Sequence, residues 1–324
     1  MQIEAREEIW PLDKPFRISR GTRSEARVVV VTVTDGQHTG RGEAVPISRY
    51  NQSIASVLAQ IESIKSETNL DRHRIQELLP AGAARNALDC AFWDLEAKIS
   101  GKRVWELANI PMVHFLETAF TISLDTPEKM ATAAKESANA PILKLKLGGD
   151  DVDLARVEAV REAASAARLL VDANESWSPA HYQKIVPVLR GLRVEVIEQP
   201  FPADADEVLE TLDHPIPVCA DESCHTSADL PRLTNRYEMI NVKLDKTGGL
   251  TEALLLTERA RQSGFKLLIG CMVGTSLSMA PARVLASAAD YVDLDGPLLL
   301  AGDRDHGLAY ENGGIGVPSR ELWG

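Results

Sequence analysis

The sequence predicts an α/β barrel of the (β/α)7β type preceded by an α+β capping domain. Three observations carry this. From about residue 116, short apolar runs alternate with amphipathic helical stretches at a period of roughly 25 residues, the signature of parallel βα units. Eight such runs can be counted. Before residue 115 the order differs, with strand-like runs first and helical patterns after them.

The capping domain is expected over 1–115. "RVVVVTVTDG" (27–36), a turn at "DGQHTG" and "GRGEAV" read as a β-hairpin or meander. Helical periodicity follows at about 54–64, 72–79 and 83–100, the last ending near Gly101. "FRISRGTRSEAR" reads as an arginine-rich loop.

The barrel is expected over 116–299, with strand candidates at 118–124, 143–147, 168–173, 194–199, 216–222, 239–244, 265–270 and 290–295. Thr126-Pro127 and Ser178-Pro179 read as N-cap and first-turn pairs of two intervening helices. The tail, about 300–324, reads as a return segment that completes the capping domain. A doubly wound open sheet is the rival architecture. Its nucleotide-binding form lacks support, because no G-x-G-x-x-G follows a strand, and "LGGDD" and "KTGGL" lack a phosphate-loop pattern.

Composition excludes several functions. The 324 residues carry a net charge of −12, which argues against nucleic acid or an anionic membrane surface as partner. The N-terminus has no apolar core of a secretory signal, and no stretch approaches the ~20 apolar residues of a membrane span. Four cysteines in a chain this long form no disulfide framework, so a reducing cytoplasm is expected. Cys219, Cys224 and His225 lie close together but lack the usual zinc spacings. The oligomeric state is left open, and association of like copies with it.

In "ILKLKLGGD" (142–150), Lys144 and Lys146 alternate with Leu143, Leu145 and Leu147. On a strand the leucines share one face and the lysines the other. Buried ammonium groups are costly unless paired. Partners are available: the third, fourth and fifth strand candidates each stay apolar until a terminal acid, at Asp172, Glu198 and Asp221. Three carboxylates converging at the barrel mouth repel one another unless a cation sits among them. Oxygen-only ligands with room for water favour one Mg²⁺. Asn174 and Glu222 flank these acids and are expected to support them.

"NVKLDKTGGL" puts Lys243 on the sixth strand, across the barrel axis from the second. Two opposed lysines with a metal between them suit inversion of a carbon next to a carboxylate. One lysine takes the α-proton, the other returns a proton to the opposite face, and the metal stabilises the enediolate. Like charge from Lys144 and the metal, with burial, is expected to lower the pKa of Lys146.

These motifs resemble the enolase superfamily, in particular its muconate-lactonising subgroup and, within that, the dipeptide epimerases. "KLK", "VDAN", "IEQP", "ADES" and "NVKLDKTGG" carry the likeness, which spans nearly the whole chain. The resemblance implies Lys146 and Lys243 as the acid/base pair, and Asp172, Glu198 and Asp221 as Mg²⁺ ligands. It also implies a dipeptide substrate, L-Ala-D/L-Glu, inverted at its C-terminal residue. "YVDLDGP" places Asp293 and Asp295 on one face at the end of the eighth strand, suited to an ammonium group. Arg20 or Arg23, with Arg20 favoured by its spacing to "VVVV", is expected to hold the side-chain carboxylate of Glu. The segment around Tyr50 is a second expected lid. Thr121, Cys271 and Met272 are expected to line the pocket. The alternatives are a cycloisomerase or o-succinylbenzoate synthase reaction on the same site, another dipeptide specificity, and a metal-binding protein without turnover.

Overall fold

The computed structural model describes residues 1–324. Its capping domain opens on an antiparallel sheet in which Gln2–Ile18 pairs with Gly21–Asp35, and that strand with His38–Ala44. Val29, Val31 and Val33 pack on Ala87, Leu88, Ala91 and Leu95 of the helix Ala83–Ser100, while Val28 and Val30 join the larger core. Burial on both faces explains why "VVVV" does not alternate. At Gly42 an added Cβ would lie 2.1 Å from the Ala87 carbonyl oxygen, so the helix approaches the sheet only because a glycine stands there.

The arginine-rich segment expected as a loop is instead strand on both sides of a tight turn at Ser19-Arg20. The first strand has only Ile3 buried, so it has no apolar face to read from sequence. Backbone pairing forms it, interrupted between Pro11 and Phe16, where the register shifts.

Eight parallel strands form the barrel, hydrogen-bonded in sequence order. They are Ala119–Ile122, Ile142–Lys146, Arg168–Asp172, Val194–Glu198, Val218–Ala220, Met239–Val242, Lys266–Gly270 and Tyr291–Asp293, here barrel strands 1 to 8. Side chains stitch strand 8 to strand 1: Leu294 N donates to Thr118 Oγ1 (3.0 Å) and Thr121 N to Asp295 Oδ2 (2.7 Å). Leu143, Leu145 and Leu147 face outward into the main core, and Ile142 faces inward with Leu170, Val196, Met239 and Leu268.

Outer helices are Pro127–Glu136, Asp153–Ala163, Pro179–Gly191, Leu250–Gln262 and Ser276–Ala286. Thr126 and Ser178 cap two of them, accepting from Lys129 N and His181 N. Crossovers after strands 4 and 5 shrink to the 3-10 turn Asp206–Thr211 and to Ser227–Asp229 running into Leu230–Leu233, and strand 8 is followed only by Gly296–Leu299. Tyr310–Glu311 and Gly314–Ile315 form a small sheet with Leu116–Glu117. The tail then runs to the helix Ala83–Ser100, where Trp323 Nε1 donates to Cys90 O (3.0 Å). No helix is long and apolar enough to cross a membrane.

The same helix braces the loop after strand 6. Arg85 donates to the carbonyls of Thr247 (2.6 Å) and Gly248 (3.1 Å), and Asp89 accepts from Thr251 N and Oγ1. Buried Asp245 accepts from Val45 N (2.9 Å) and Asn86 Nδ2 (2.8 Å), both at Oδ1. Burial pushes its carboxyl up to about 7; those two hydrogen bonds and Lys243 oppose the rise, and Glu43 adds to it. The folded chain therefore keeps a proton that the unfolded chain, at about pKa 3.9, has already lost. Native protons exceed unfolded ones across that window, so this group lowers stability as pH rises from about 4 through 7. Asp245→Asn keeps an acceptor for both donors. It is expected to flatten that part of the stability–pH curve in urea unfolding at pH 5 and pH 8. An unchanged slope between the two pH values would refute the assignment.

Candidate active site

The inward face of strand 2 delivers the two lysines to the carboxyl end of the barrel. Lys144 Nζ lies 2.7 Å from Asp293 Oδ2, 2.7 Å from Glu198 Oε2 and 3.4 Å from Asp172 Oδ2. Lys146 Nζ meets the same Asp172 oxygen at 2.5 Å. Two ammonium groups thus share one carboxylate. Burial opposes charge on Lys144, but Asp293, Glu198 and Asp172 outweigh it and hold its pKa well above the ordinary value.

Strands 5 and 6 build the opposite wall. Asp221 accepts from Lys243 Nζ (2.7 Å) at one oxygen and from Lys246 Nζ (2.7 Å) at the other. Against burial, Lys243, Lys246 and Lys144 hold the Asp221 carboxyl well below the usual carboxylate range. Asn241 Nδ2 donates to Glu198 Oε1 (2.9 Å) from below, and Gly270 leaves it room, since a Cβ there would sit 2.5 Å from Asn241 Oδ1. Gln199 fixes the spacing of strands 4 and 5 by accepting from Asp221 N (2.8 Å) and Ser223 N (3.1 Å).

A cavity of about 490 Å³ opens over these groups. Lys146 and Lys243 line it from opposite strands, together with Thr121, Asn174, Asp221, Glu222, Asp293 and Asp295. Cys271 and Met272 face it from the end of strand 7, and Ile18, Arg23, Ser48 and Tyr50 roof it from the capping domain. Asp172 and Glu198 lie beneath the lysines, fully buried. Asp295 is pushed up to about 6 by burial and by Asp293, and Asp293 Oδ1 has no hydrogen-bond partner.

The two arginines are placed differently. Arg20 spends its donors on Asn174 O (2.9 Å), Glu175 Oε2 (3.1 Å) and Glu222 Oε1 (2.7 Å). Arg23 lines the pocket and has no carboxylate partner. Both line the pocket, but the guanidinium of Arg20 is already engaged within the fold and that of Arg23 is not.

The residues present fit a hard cation. No three acidic, histidine or cysteine side chains stand together as a finished metal cage, because ammonium groups separate the carboxylates. Yet several buried acceptors at this site lack a donor. Glu198 Oε2 touches Lys144 without hydrogen-bond geometry, and Glu222 Oε2 and Asn174 Oδ1 have no partner. Burial and the neighbouring Asp172 charge push Glu198 up to about 7. All the unpartnered donor atoms are oxygens, the set a Mg²⁺-like ion takes.

Residues 1–108 match the mandelate racemase / muconate lactonizing enzyme N-terminal domain, and residues 128–321 match the enolase C-terminal domain-like family. The chain belongs to the enolase superfamily. Among similar members, L-Ala-D/L-Glu epimerase of Escherichia coli K12 is 47% identical over 96% of this chain and 98% of its own. N-acetyl-D-glutamate racemase of a Pseudoalteromonas species is 46% identical over 92% of this chain and 95% of its own. A crystal structure of an enolase family member from Agrobacterium tumefaciens with homology to dipeptide epimerases aligns with a TM-score of 0.97. It is 48% identical, each chain is 99% covered, and it holds sodium and L-Ala-L-Glu with an ordered loop.

This superfamily member carries site residues that the sequence did not single out. Lys246 follows strand 6, and the turn Leu244–Thr247 folds back and buries it against Asp221. Asn241 lies inside strand 6 and Gln199 just past strand 4, where no local pattern separates a supporting amide from a core polar residue. Cys219 and Cys224 are buried and unpaired.

Proposed function

We propose that this chain is a Mg²⁺-dependent dipeptide epimerase that inverts the α-carbon of the C-terminal residue of L-Ala-D/L-Glu by two-base proton transfer. The observation that carries the reading is the pair Lys146 and Lys243, on opposite sides of one pocket above buried carboxylates. The similarity over the full chain to an L-Ala-D/L-Glu epimerase supports the same substrate.

In this reading one lysine removes the α-proton from one face and the other delivers a proton to the opposite face. Asp172, Glu198 and Asp221 hold Mg²⁺, with Asn174 and Glu222 beside them. When bound there, Mg²⁺ would supply positive charge to the substrate carboxylate as the α-proton leaves. Lys144 remains cationic and shares Asp172 with Lys146, so a second positive charge stands beside the proposed base. Asp293 and Asp295 receive the dipeptide's ammonium group, the unpartnered Asp293 Oδ1 being the free acceptor. Arg23 binds the Glu side-chain carboxylate, since it is the pocket arginine without a partner. Ile18 and Tyr50 help exclude water from above. Four unpaired cysteines support a cytoplasmic setting.

N-acetylglutamate is the competing substrate, raised by the racemase relative. It has no ammonium group to set against Asp293 and Asp295, and neither do lactone-forming or o-succinylbenzoate-forming substrates. Incubation with L-Ala-L-Glu and Mg²⁺ in D₂O is expected to place deuterium at the Glu α-carbon and to produce L-Ala-D-Glu. Exchange should stop on chelation. Absence of exchange with L-Ala-L-Glu, or faster exchange with N-acetylglutamate, would overturn the substrate assignment.

A further inference from the structure

Glu175 stands outside the pocket lining and outside the proposed chemistry. Its carboxylate nevertheless gathers more partners than most in the chain. Oε1 accepts from Arg49 Nη2 (2.7 Å) and Ala203 N (2.9 Å), and Oε2 accepts from Arg49 Nε (2.8 Å) and Arg20 Nη1 (3.1 Å). Arg20 belongs to the hairpin tip and Arg49 to the turn Ser48–Tyr50, the two capping segments that roof the pocket. The side chain of Glu175 is 7% exposed, against 34% for Arg20 and 41% for Arg49. The carboxylate is thus fixed and the arginines reach to it.

The backbone is shaped to present it. Asn174 (φ 43°) and Glu175 (φ 67°) are consecutive left-handed residues without being glycine, an unfavourable conformation that persists only where surroundings enforce it. Glu175 N donates to Gln199 O (2.9 Å), which ties the turn to the end of strand 4. The carbonyl of Asn174 accepts from both Ser19 Oγ (3.1 Å) and Arg20 Nη1 (2.9 Å), so the hairpin tip lands on these two residues. On the hairpin side, residues 12–15 fall in the register break, separating the tip from the sheet; its other anchors are Arg17, at Ser123 and Leu124, and Arg20, at Glu222.

We propose that Glu175 is the latch that holds both capping segments closed over the pocket, acting on substrate through Arg20 and Arg49. It is a positioning residue, and only its kinetic consequence rests on the epimerase reading. Arg20 keeps Glu222 when Glu175 is neutralised, whereas Arg49 has no other hydrogen-bond partner. The turn Ser48–Tyr50 depends on the latch more than the hairpin tip does.

Hydrogen exchange followed by mass spectrometry tests this directly, because the amides of Tyr50, Asn51 and Gln52 are hydrogen-bonded within that turn. In Glu175→Gln those amides are expected to exchange about tenfold faster or more, with a smaller gain over 17–22 and no change in the barrel strands. Arg49→Gln should give the same result at the turn. At the turn the double variant should be no worse than either single one, because both remove the same Arg49–Glu175 pair. In turnover of L-Ala-L-Glu, KM is expected to rise about tenfold in Glu175→Gln with kcat within about threefold, since closure is lost and the lysines are untouched. Unchanged exchange at 50–52, or additive effects in the double variant, would overturn the latch. So would a uniform rise in exchange through the barrel, which marks general destabilisation. If wild-type protein does not turn over the dipeptide, the epimerase reading fails while the exchange cycle still judges the latch.

Discussion

Lys146→Ala and Lys243→Ala are each expected to abolish inversion, with kcat reduced by about a thousandfold or more, since each removes one of the two proposed proton carriers. Neither change should unfold the protein. Without Lys146, Asp172 keeps Lys144 at 3.4 Å, and without Lys243, Asp221 keeps Lys246 at 2.7 Å. Each buried carboxylate is held by two ammonium groups, so one can be lost without stranding a charge. The informative result is the division of labour. In D₂O one variant should still wash deuterium into L-Ala-L-Glu and the other into L-Ala-D-Glu, each without forming the opposite epimer. A lysine that only positions substrate would slow exchange from both epimers alike. That outcome, or inversion surviving in either variant with unchanged kcat, would sink the two-base assignment.

How far this site can be read from sequence depends on the residue. Lys144 and Lys146 stand out because a strand has period two and their neighbours are apolar. Asp172, Glu198 and Asp221 stand out because each ends an apolar run at the barrel mouth. The eight strands are legible for the same reason, being short runs buried on both faces. Lys246 is not legible, because only the turn Leu244–Thr247 decides whether a loop lysine faces water or Asp221. The first capping strand is hidden by having just Ile3 buried. Arg20 and Glu175 are separated by 155 positions, and nothing local to either marks the other. Spacing to "VVVV" favours Arg20 as the substrate arginine, and gives no sign of the hydrogen bonds by which it holds the hairpin tip.

Asp221→Asn should produce the largest loss of stability among single changes in the site. Asp221 is the only hydrogen-bond acceptor of Lys243, whose pKa it raises against the pull of burial. It also takes one of the three hydrogen bonds of Lys246 at a side-chain oxygen, the others going to the carbonyls of Asp221 and Asn241. Removing its charge leaves a buried ammonium group without its ion-pair partner, and breaking such a pair costs about 3–5 kcal/mol. For comparison, a domain of ordinary stability has roughly 5–15 kcal/mol in all. Lys246 should lose little, because two backbone carbonyls remain to it. The double variant Asp221→Asn/Lys243→Met removes the stranded charge and is expected to recover most of the loss in urea unfolding, which a defect in strand packing would not allow. The metal offers a second readout on the same proteins. Mg²⁺ that binds only the folded chain raises Tm in wild type by mass action. That rise should vanish in Asp221→Asn and remain absent in the recovered double variant, since asparagine returns the packing but not the ligand charge. Full stability in Asp221→Asn would mean that Lys243 is not held where the structure places it. A persisting Mg²⁺ shift would remove Asp221 from the ligand set.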